Sequence, residues 1–462
     1  MIPILIICYN NYQYVENTIQ QLNKVNSKLL QDIIIVNNKS TDFQTIEYLK
    51  TVPVKVIHNK SNNGPWINSH YNAHIYHTLP DKFILTDPDL EFNTNLPPNF
   101  VDILVELSDK YNNCEKIGMA LDISEPDKMY NSTYVDNKTI VDWESPYWTH
   151  RISNDTYELY SAAIDTTFCL ITKNRYANHI RVAGNFTAKH LPWYYENPFI
   201  NIYDSYTTYI NTNLLSTTGR LIMPYITSAY SKIQKRDEFF FIKNRNLSED
   251  PNMNFWRNTY GGWETETFKI FDRFLKKDKI FIDIGGWIGT TCMYGGRKSK
   301  HVYVVEADRD SFKDLTNNCK NNNINITCIQ KAIFNQSGKE LLFGNNKFLQ
   351  NSKLNDSTSQ LYTDPSAAPQ GSYSVTTITV PDILTDYSID PSTVSLIKVD
   401  IEGGEESILQ DLYTLHSRFL IPLYVSFHYT WWSDKNLDRF AFLTNEQKHR
   451  IRADPFVSLL FA

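Results

Sequence analysis

The sequence predicts an α/β protein of two domains, and three observations carry that reading. Short apolar runs alternate with segments of helical spacing from the N-terminus onward, as a parallel sheet with crossover helices requires. The pattern restarts near residue 280, after a charged interval that lacks strand rhythm. The length, 462 residues, exceeds what one ordinary core organises. The expected division is 1–235 for the first domain, 236–258 for a linker and 259–462 for the second domain.

Residues 2–8 are a continuous apolar run that reads as a buried strand and gives out at Tyr9, Asn10 and Asn11. Val15, Ile19 and Leu22 then keep helical spacing. Residues 33–36 and 54–58 read as further strands, the first of them ending in the polar stretch 37–42. Asn62, Asn63, Gly64 and Pro65 are turn chemistry, and a polar helix is expected over 67–77. A fourth run, Phe83, Ile84 and Leu85, stops at Asp87 and Asp89, with Pro88 keeping the backbone between them out of a helix. Parallel sheets bind ligands at the carboxyl ends of their strands. Tyr9, Asn37, Asp42, Asp87 and Asp89 are therefore expected on one edge. Two carboxylates one residue apart suit a hard divalent cation that takes further oxygens from substrate phosphates. A bare pair of this kind is more often a solvated turn, and the convergence of three polar strand ends is what sets this one apart.

The chain is 42% hydrophobic and 21% charged, a globular composition. A net charge of −6 argues against bulk affinity for nucleic acid or anionic membrane. Six scattered cysteines with no C-x-x-C pair read as free thiols of a reducing compartment, with no zinc site. The apolar start has no basic flank, no cleavage site and no span of about 20 apolar residues, so it reads as a strand and not as a signal or anchor. A soluble, cytoplasmic protein without a transmembrane segment or a nucleic-acid partner is the expectation.

In the second half, Phe268, Phe271 and Leu275 give a helix stripe, and residues 280–282 give a strand that runs into DIGGWIG. Gly285 permits a tight turn with close backbone approach, and Gly289 opens the next helix. The strand at 302–305 ends in Glu306, the spacing at which an acidic residue grips ribose hydroxyls. There is no phosphate-binding G-x-G-x-x-G, and Asp283 at the loop start would repel a pyrophosphate. That favours a neutral or cationic nucleoside, and S-adenosylmethionine fits. Residues 352–371 are expected as a flexible loop over the acceptor.

The segments IPILIICYNN, IIIVNNKSTD, HNKSNNGP and ILTDPDLEF resemble, in order and spacing, the nucleotide-sugar half of a family 2-like glycosyltransferase of the GT-A fold. The resemblance implies that Tyr9 and Asn37, with Asp42 on the same loop, lie against the nucleoside of a UDP-, GDP- or dTDP-linked sugar. It implies that Asp87 and Asp89 face Mn²⁺ or Mg²⁺ on the diphosphate. His190 would complete the metal shell or donate to the leaving group, and Arg181 or Lys189 would offset its charge. Trp193, Tyr194 and Tyr195 are expected as a sugar platform. An inverting transfer needs a carboxylate base, for which Asp165 is the first candidate and Asp142 and Glu144 follow. Asn37 departs from the family, where an acidic residue is usual.

The segments FWRNTYGGWETETF, DIGGWIG, VYVVEADRDSFKDLTNN, LIKVDIEGGEESIL and VSFHYTW resemble an FkbM-type methyltransferase over about residues 255–428. This implies a seven-stranded Rossmann-like sheet, S-adenosylmethionine as cofactor, and methylation of a hydroxyl oxygen on a sugar or polyketide. Asp283 and Gly285 would line the methionine part, Glu306 would bind the ribose, and Glu264 would approach the amino-acid end. Asp400, with Glu402 and Glu405, would face the transfer site, and Asp400 and His428 are the base candidates. The expected function is a bifunctional enzyme that transfers a sugar to a glycan or glycoprotein and O-methylates a sugar hydroxyl. The alternative is an active methyltransferase whose first domain only binds glycan or nucleotide. A non-catalytic assembly protein is a third reading, disfavoured by five carboxylates at strand ends.

Overall fold

A computed structural model describes residues 2–131, 137–153, 155–212, 217–245, 252–346, 349, 357–454 and 456–462. The chain separates into two compact units, residues 1–200 with 209–225, and residues 201–208 with 226–462.

The strands of the first unit are β1 (Ile4–Cys8), β2 (Ile33–Asn37), β3 (Lys55–His58), β4 (Lys82–Thr86), β5 (Leu90–Phe92), β6 (Lys116–Met119), β7 (Arg151–Ile152), β8 (Leu159–Ser161), β9 (Cys169–Thr172), β10 (His179–Val182) and β11 (Ala188–His190). Nine of them form one sheet in the order β3-β2-β1-β4-β9-β6-β10-β8-β7. The first four are parallel, as their crossover helices demand. Helix Tyr12–Val25 turns Val15, Ile19 and Leu22 into the core, and the helix Phe43–Thr51 is started by the Asp42 side chain, which accepts from Thr45 N. The register pairs Cys8 with Asn37 and Asn37 with His58, so these strands end level. Beyond β4 the sheet is mixed, because β9 runs antiparallel to both β4 and β6. The helix expected over 67–77 is only the short turns His70–Asn72 and Ala73–Tyr76. A separate two-stranded ribbon pairs β5 with β11 and sets His190 opposite Leu90, the neighbour of Asp89.

The second unit holds β12 (Tyr230–Lys235), β13 (Glu238–Lys243), β14 (Ile280–Ile284), β15 (His301–Val305), β16 (Ile326–Ile329), β17 (Ala332–Ile333), β18 (Glu340–Gly344), β19 (Gln360–Tyr362), β20 (Tyr373–Ile378), β21 (Val394–Val399), β22 (Leu423–Ser426) and β23 (Ser458–Phe461). The interval expected as a linker is structured over much of its length. β12 and β13 form a hairpin, turning at Arg236 with φ 53°, and Ile233, Phe240 and Ile242 pack with Trp256, Tyr260 and Phe268. The main sheet runs β16-β15-β14-β21-β22-β23, with only β23 antiparallel. Among the described residues it has six strands where seven were expected. β17, β18, β19 and β20 leave it and pair with one another as a four-stranded sheet. Residues 352–356 of the expected loop lie outside the described residues, and β19 occupies part of the remainder. Ile284 pairs with Val305 on one side and Val399 on the other, so Gly285, Glu306 and Asp400 emerge at one edge.

Candidate active sites

In the first unit the edge above β1, β2 and β4 carries the D-P-D turn. Asp87 N donates to Thr166 O at 2.9 Å, and Thr166 Oγ1 donates to Asp87 Oδ2. This ties the turn to the loop that carries Asp165. His190 Nε2 lies 3.4 Å from Asp89 Oδ2, while Asp89 Oδ1 and His190 Nδ1 are buried with no hydrogen-bond partner. Burial, followed by the charge of Asp89, pushes the Asp87 carboxyl up to about 7. Burial also opposes charge on Asp89, but His190 outweighs it and holds that carboxyl below its usual range. His190 is itself raised, Asp89 overcoming the burial. Two adjacent carboxylates, one with an idle buried oxygen, make an electron-rich site with unmet polar demand. The residues fit a hard divalent cation.

The rest of that edge is less available. Asn37 is buried; its Nδ2 meets His58 Nδ1 at 3.0 Å and its Oδ1 accepts from Ser40 N at 2.9 Å. The Asp42 carboxylate caps a helix. Tyr9 is exposed. Asp165 is exposed, and its Oδ1 accepts from Trp66 Nε1 at 2.9 Å. The runners-up for the base are structural. Asp142 forms a capping box with Thr139, and buried Glu144 is ion-paired with Arg181. Arg181 is thereby spent, with Nε donating to Ala163 O and its guanidinium over Tyr147, so it does not offset a diphosphate. Lys189 is held by Glu125. Trp193 and Tyr194 are buried, and Tyr195 stacks on Tyr225, so the expected sugar platform is a packed corner. Each ring is taken by a partner within the fold, Trp193 by His190, Tyr194 by Lys189 and Asp122 O, and Tyr195 by Tyr225.

In the second unit a cleft opens at the edge of β14, β15 and β21. Gly285, Trp287, Glu306, Asp308, Asp400 and Glu402 supply its polar wall, and Ile284, Val305, Ile333, Phe343 and Leu361 its apolar one. Gly285 has φ 83°, and a Cβ there would fall 1.8 Å from Asp400 O. No other residue closes that approach. Glu306 accepts from Trp287 N and Asp308 N, each at 2.7 Å, and burial pushes its carboxyl up to about 8. Gly289 precedes the helix Thr290–Lys298 as expected.

Asp283 does not line the cleft. It is fully buried, accepts from Thr291 Oγ1 at 2.7 Å, and lies 3.5 Å from Lys398 Nζ. Lys398 also stands 3.6 Å from Asp400 Oδ2 and donates to Gly285 O at 3.1 Å. Burial opposes its charge, but Asp283 and Asp400 outweigh it and raise its pKa. Lys398 was missed in the sequence. Its signal was a charged residue inside the largely apolar strand VSLIKV, whose every residue is buried. Glu264, half-buried, feels burial first and then Asp400, and both raise its carboxyl.

His428 is 8% exposed; its Nδ1 meets Glu405 Oε1 at 3.0 Å, and its Nε2 faces Glu402 Oε2 at 3.4 Å and Asp400 Oδ1 at 3.6 Å. Burial opposes charge here too, but Glu405, then Asp400 and Glu402, push His428 up to about 10. Trp431 stacks flat on the imidazole, its ring centroid 5.1 Å away. A second cleft, lined by Gln360, Tyr362, Glu402, Gln410, Trp431 and Arg439, adjoins this group. No helix among the described residues is long and apolar enough to cross a membrane.

The search of curated proteins gives no match. Among solved structures, the chain is similar to an FkbM methyltransferase from Methylobacillus flagellatus KT, at 20% identity over 33% of each chain with a TM-score of 0.22. It thus spans a third of that protein's length. It is also similar to a mannosyltransferase from Pyrobaculum calidifontis, determined with GDP-Man and Mn²⁺, at 11% identity over 47% of this chain and 66% of that one, TM-score 0.27. A third is glucosyl-3-phosphoglycerate synthase from Mycobacterium tuberculosis, at 19% identity over 27% of this chain and 45% of that one, TM-score 0.20. Residues 4–154 match the family model of glycosyl transferase family 2, and residues 283–452 match that of the methyltransferase FkbM domain. The chain therefore carries a glycosyltransferase family 2 domain at its N-terminus and an FkbM methyltransferase domain in its C-terminal half.

Proposed function

We propose that the chain is a bifunctional glycan-modifying enzyme, transferring a sugar from a nucleotide donor and O-methylating a sugar hydroxyl. The observation that carries it is that each unit gathers its chemically able side chains at the carboxyl edge of its own parallel strands. Asp87, Asp89 and His190 do so in the first unit, and Gly285, Glu306, Asp400 and His428 in the second.

In the first unit Asp87, Asp89 and His190 would hold Mn²⁺ or Mg²⁺, which when bound offsets charge on a diphosphate leaving group. Thr166 fixes the Asp87 carboxylate. Asp165, exposed and oriented by the Trp66 indole, accepts the proton of the incoming hydroxyl. In the second unit the cleft at Gly285 and Glu306 would take S-adenosylmethionine, whose sulfonium supplies an activated methyl group. Its carboxylates favour a cationic ligand and its apolar wall an adenine. Methyl transfer then needs an aligned hydroxyl and a proton acceptor. His428, held as a cation, is not that acceptor at neutral pH; it orients the acceptor, and Asp400 takes the proton. Joining the two activities in one chain raises the local concentration of a newly added sugar at the second site.

The test is mass analysis of products from a panel of nucleotide sugars and glycan acceptors, with each cofactor supplied alone and then together. The alternative, a first domain that only binds, is favoured by Asn37, whose amide is already engaged with His58 and Ser40. It predicts methylation without any sugar transfer or donor hydrolysis.

A further inference from the structure

The group Asp400, Glu402 and His428 is a separate cluster from the D-P-D site, and its ligand-capable atoms lie within 4.8 Å of one another. It is more than a patch of acid. His428 is nine-tenths buried, and the fully buried Glu405 engages its Nδ1, which turns Nε2 toward the two carboxylates. A carboxylate that orients a histidine by one ring nitrogen, leaving the other for a metal, is the usual outer support of a metal ligand. The same Glu405 accepts from Ile401 N and Gly403 N, each at 3.1 Å, and from Trp432 Nε1 at 3.3 Å, so the loop bearing Glu402 is pinned to the histidine it faces. Glu402 itself sits at φ 53°, a left-handed backbone that the loop must hold against its own cost.

The spacing agrees. Nε2 is 3.4 Å from Glu402 Oε2 and 3.6 Å from Asp400 Oδ1. Neighbouring ligands on an octahedral ion with bonds of roughly 2.1 Å stand about 3.0 Å apart, so a small inward movement of the side chains completes the set. Asp400 and Glu402 line the cleft with Gly285 and Glu306, and Glu402 also lines the adjoining cleft with Trp431.

We infer that Asp400, Glu402 and His428 Nε2 bind one divalent cation of the Mn²⁺ or Mg²⁺ class, at the join of the two clefts of the second unit. The ion would neutralise both carboxylates and present an open position to an acceptor hydroxyl, lowering its pKa where the methyl group arrives. With the ion bound, His428 and Asp400 serve as ligands in place of the orienting cation and proton acceptor described above, and the hydroxyl's proton passes to solvent. This goes beyond the metal expected at Asp87 and Asp89.

The test is Mn²⁺ titration of the full-length chain followed by electron paramagnetic resonance of the unbound ion, with thermal melts to confirm folding. Wild type is expected to bind two ions and Asp89→Asn one. Glu402→Gln in the Asp89→Asn background should weaken the remaining site at least tenfold, and Glu405→Gln should weaken it by about 10- to 100-fold through its hold on His428 and on the loop bearing Glu402. If Asp89→Asn binds no Mn²⁺, or if Glu402→Gln leaves its affinity unchanged, the inference is overturned while the glycosyl-transfer reading stands. If Asp89→Asn still binds two ions, it is the D-P-D assignment that fails.

Discussion

Lys398 and Asp283 form a wholly buried ion pair, Nζ to Oδ1 3.5 Å, directly behind the cleft of the second unit. The lysine spans from Asp283 to Asp400 and so couples the floor of the sheet to the residue that faces the acceptor. Removing the lysine leaves Asp283 without compensation in the interior, whereas removing Asp283 leaves the lysine with Asp400.

Lys398→Met alone is therefore expected to cost about 3–5 kcal/mol, and Asp283→Asn less, because Asp400 still faces the lysine. The double variant Asp283→Asn/Lys398→Met should recover part of the Lys398→Met loss, because Asp283 is then no longer a stranded charge. Urea unfolding of the four proteins reads the coupling directly; additive effects would show that the pair is not an energetic unit.

Gly285→Ala should abolish S-adenosylmethionine binding and destabilise by at least about 2 kcal/mol. Its φ of 83° and the 1.8 Å approach to Asp400 O leave no room for a methyl group. Gly371→Ala is the control. It shares a positive φ of 93° but has no atom within 4 Å of the added carbon, so only the backbone cost of about 1–2 kcal/mol applies. Calorimetric titration with the cofactor separates the two.

Lys235 gives a pH signature. It is 1% exposed, donates to Tyr260 O at 2.8 Å and to Trp263 O, and burial pushes it down to about 8. Between pH 8 and the ordinary lysine value near 10.5, the unfolded chain carries a proton that the folded one has released. Stability contributed by this group thus rises with pH across that window, and below pH 8 its cost is fully present. Lys235→Met should lose this upward slope. An identical slope in the variant, measured by denaturant unfolding at several pH values, would assign it elsewhere.

Much of this architecture was legible in the sequence because strand ends announce themselves. Ile4–Cys8 and Ile33–Asn37 are apolar runs with polar stops, and Gly285 and Gly289 mark the turn from strand to helix. Side-chain partnerships were not legible, since they depend on residues far apart in the chain. Arg181 was free to meet a diphosphate until Glu144, thirty-seven residues away, claimed it. Trp193 and Tyr194 had the composition of a sugar platform, but the fold buries them. The hairpin of Tyr230–Lys235 and Glu238–Lys243 was hidden by its charged turn, which carries Arg236 and Asp237 between two alternating strands. Lys398 went unnoticed in its strand, and the buried Asp283 shows why a cation stands there.

Two chemistries at two independent sites are proposed for one chain. The most direct measurement supplies full-length protein with nucleotide sugars, Mn²⁺, S-adenosylmethionine and glycan acceptors, and follows products by mass for wild type, Asp89→Asn and Gly285→Ala. Wild type should yield an acceptor bearing both an added sugar and a methyl group. Asp89→Asn should lose the sugar and retain methylation of a pre-glycosylated acceptor, while Gly285→Ala should lose only the methyl group. Sugar transfer undiminished in Asp89→Asn, or methylation undiminished in Gly285→Ala, would contradict it.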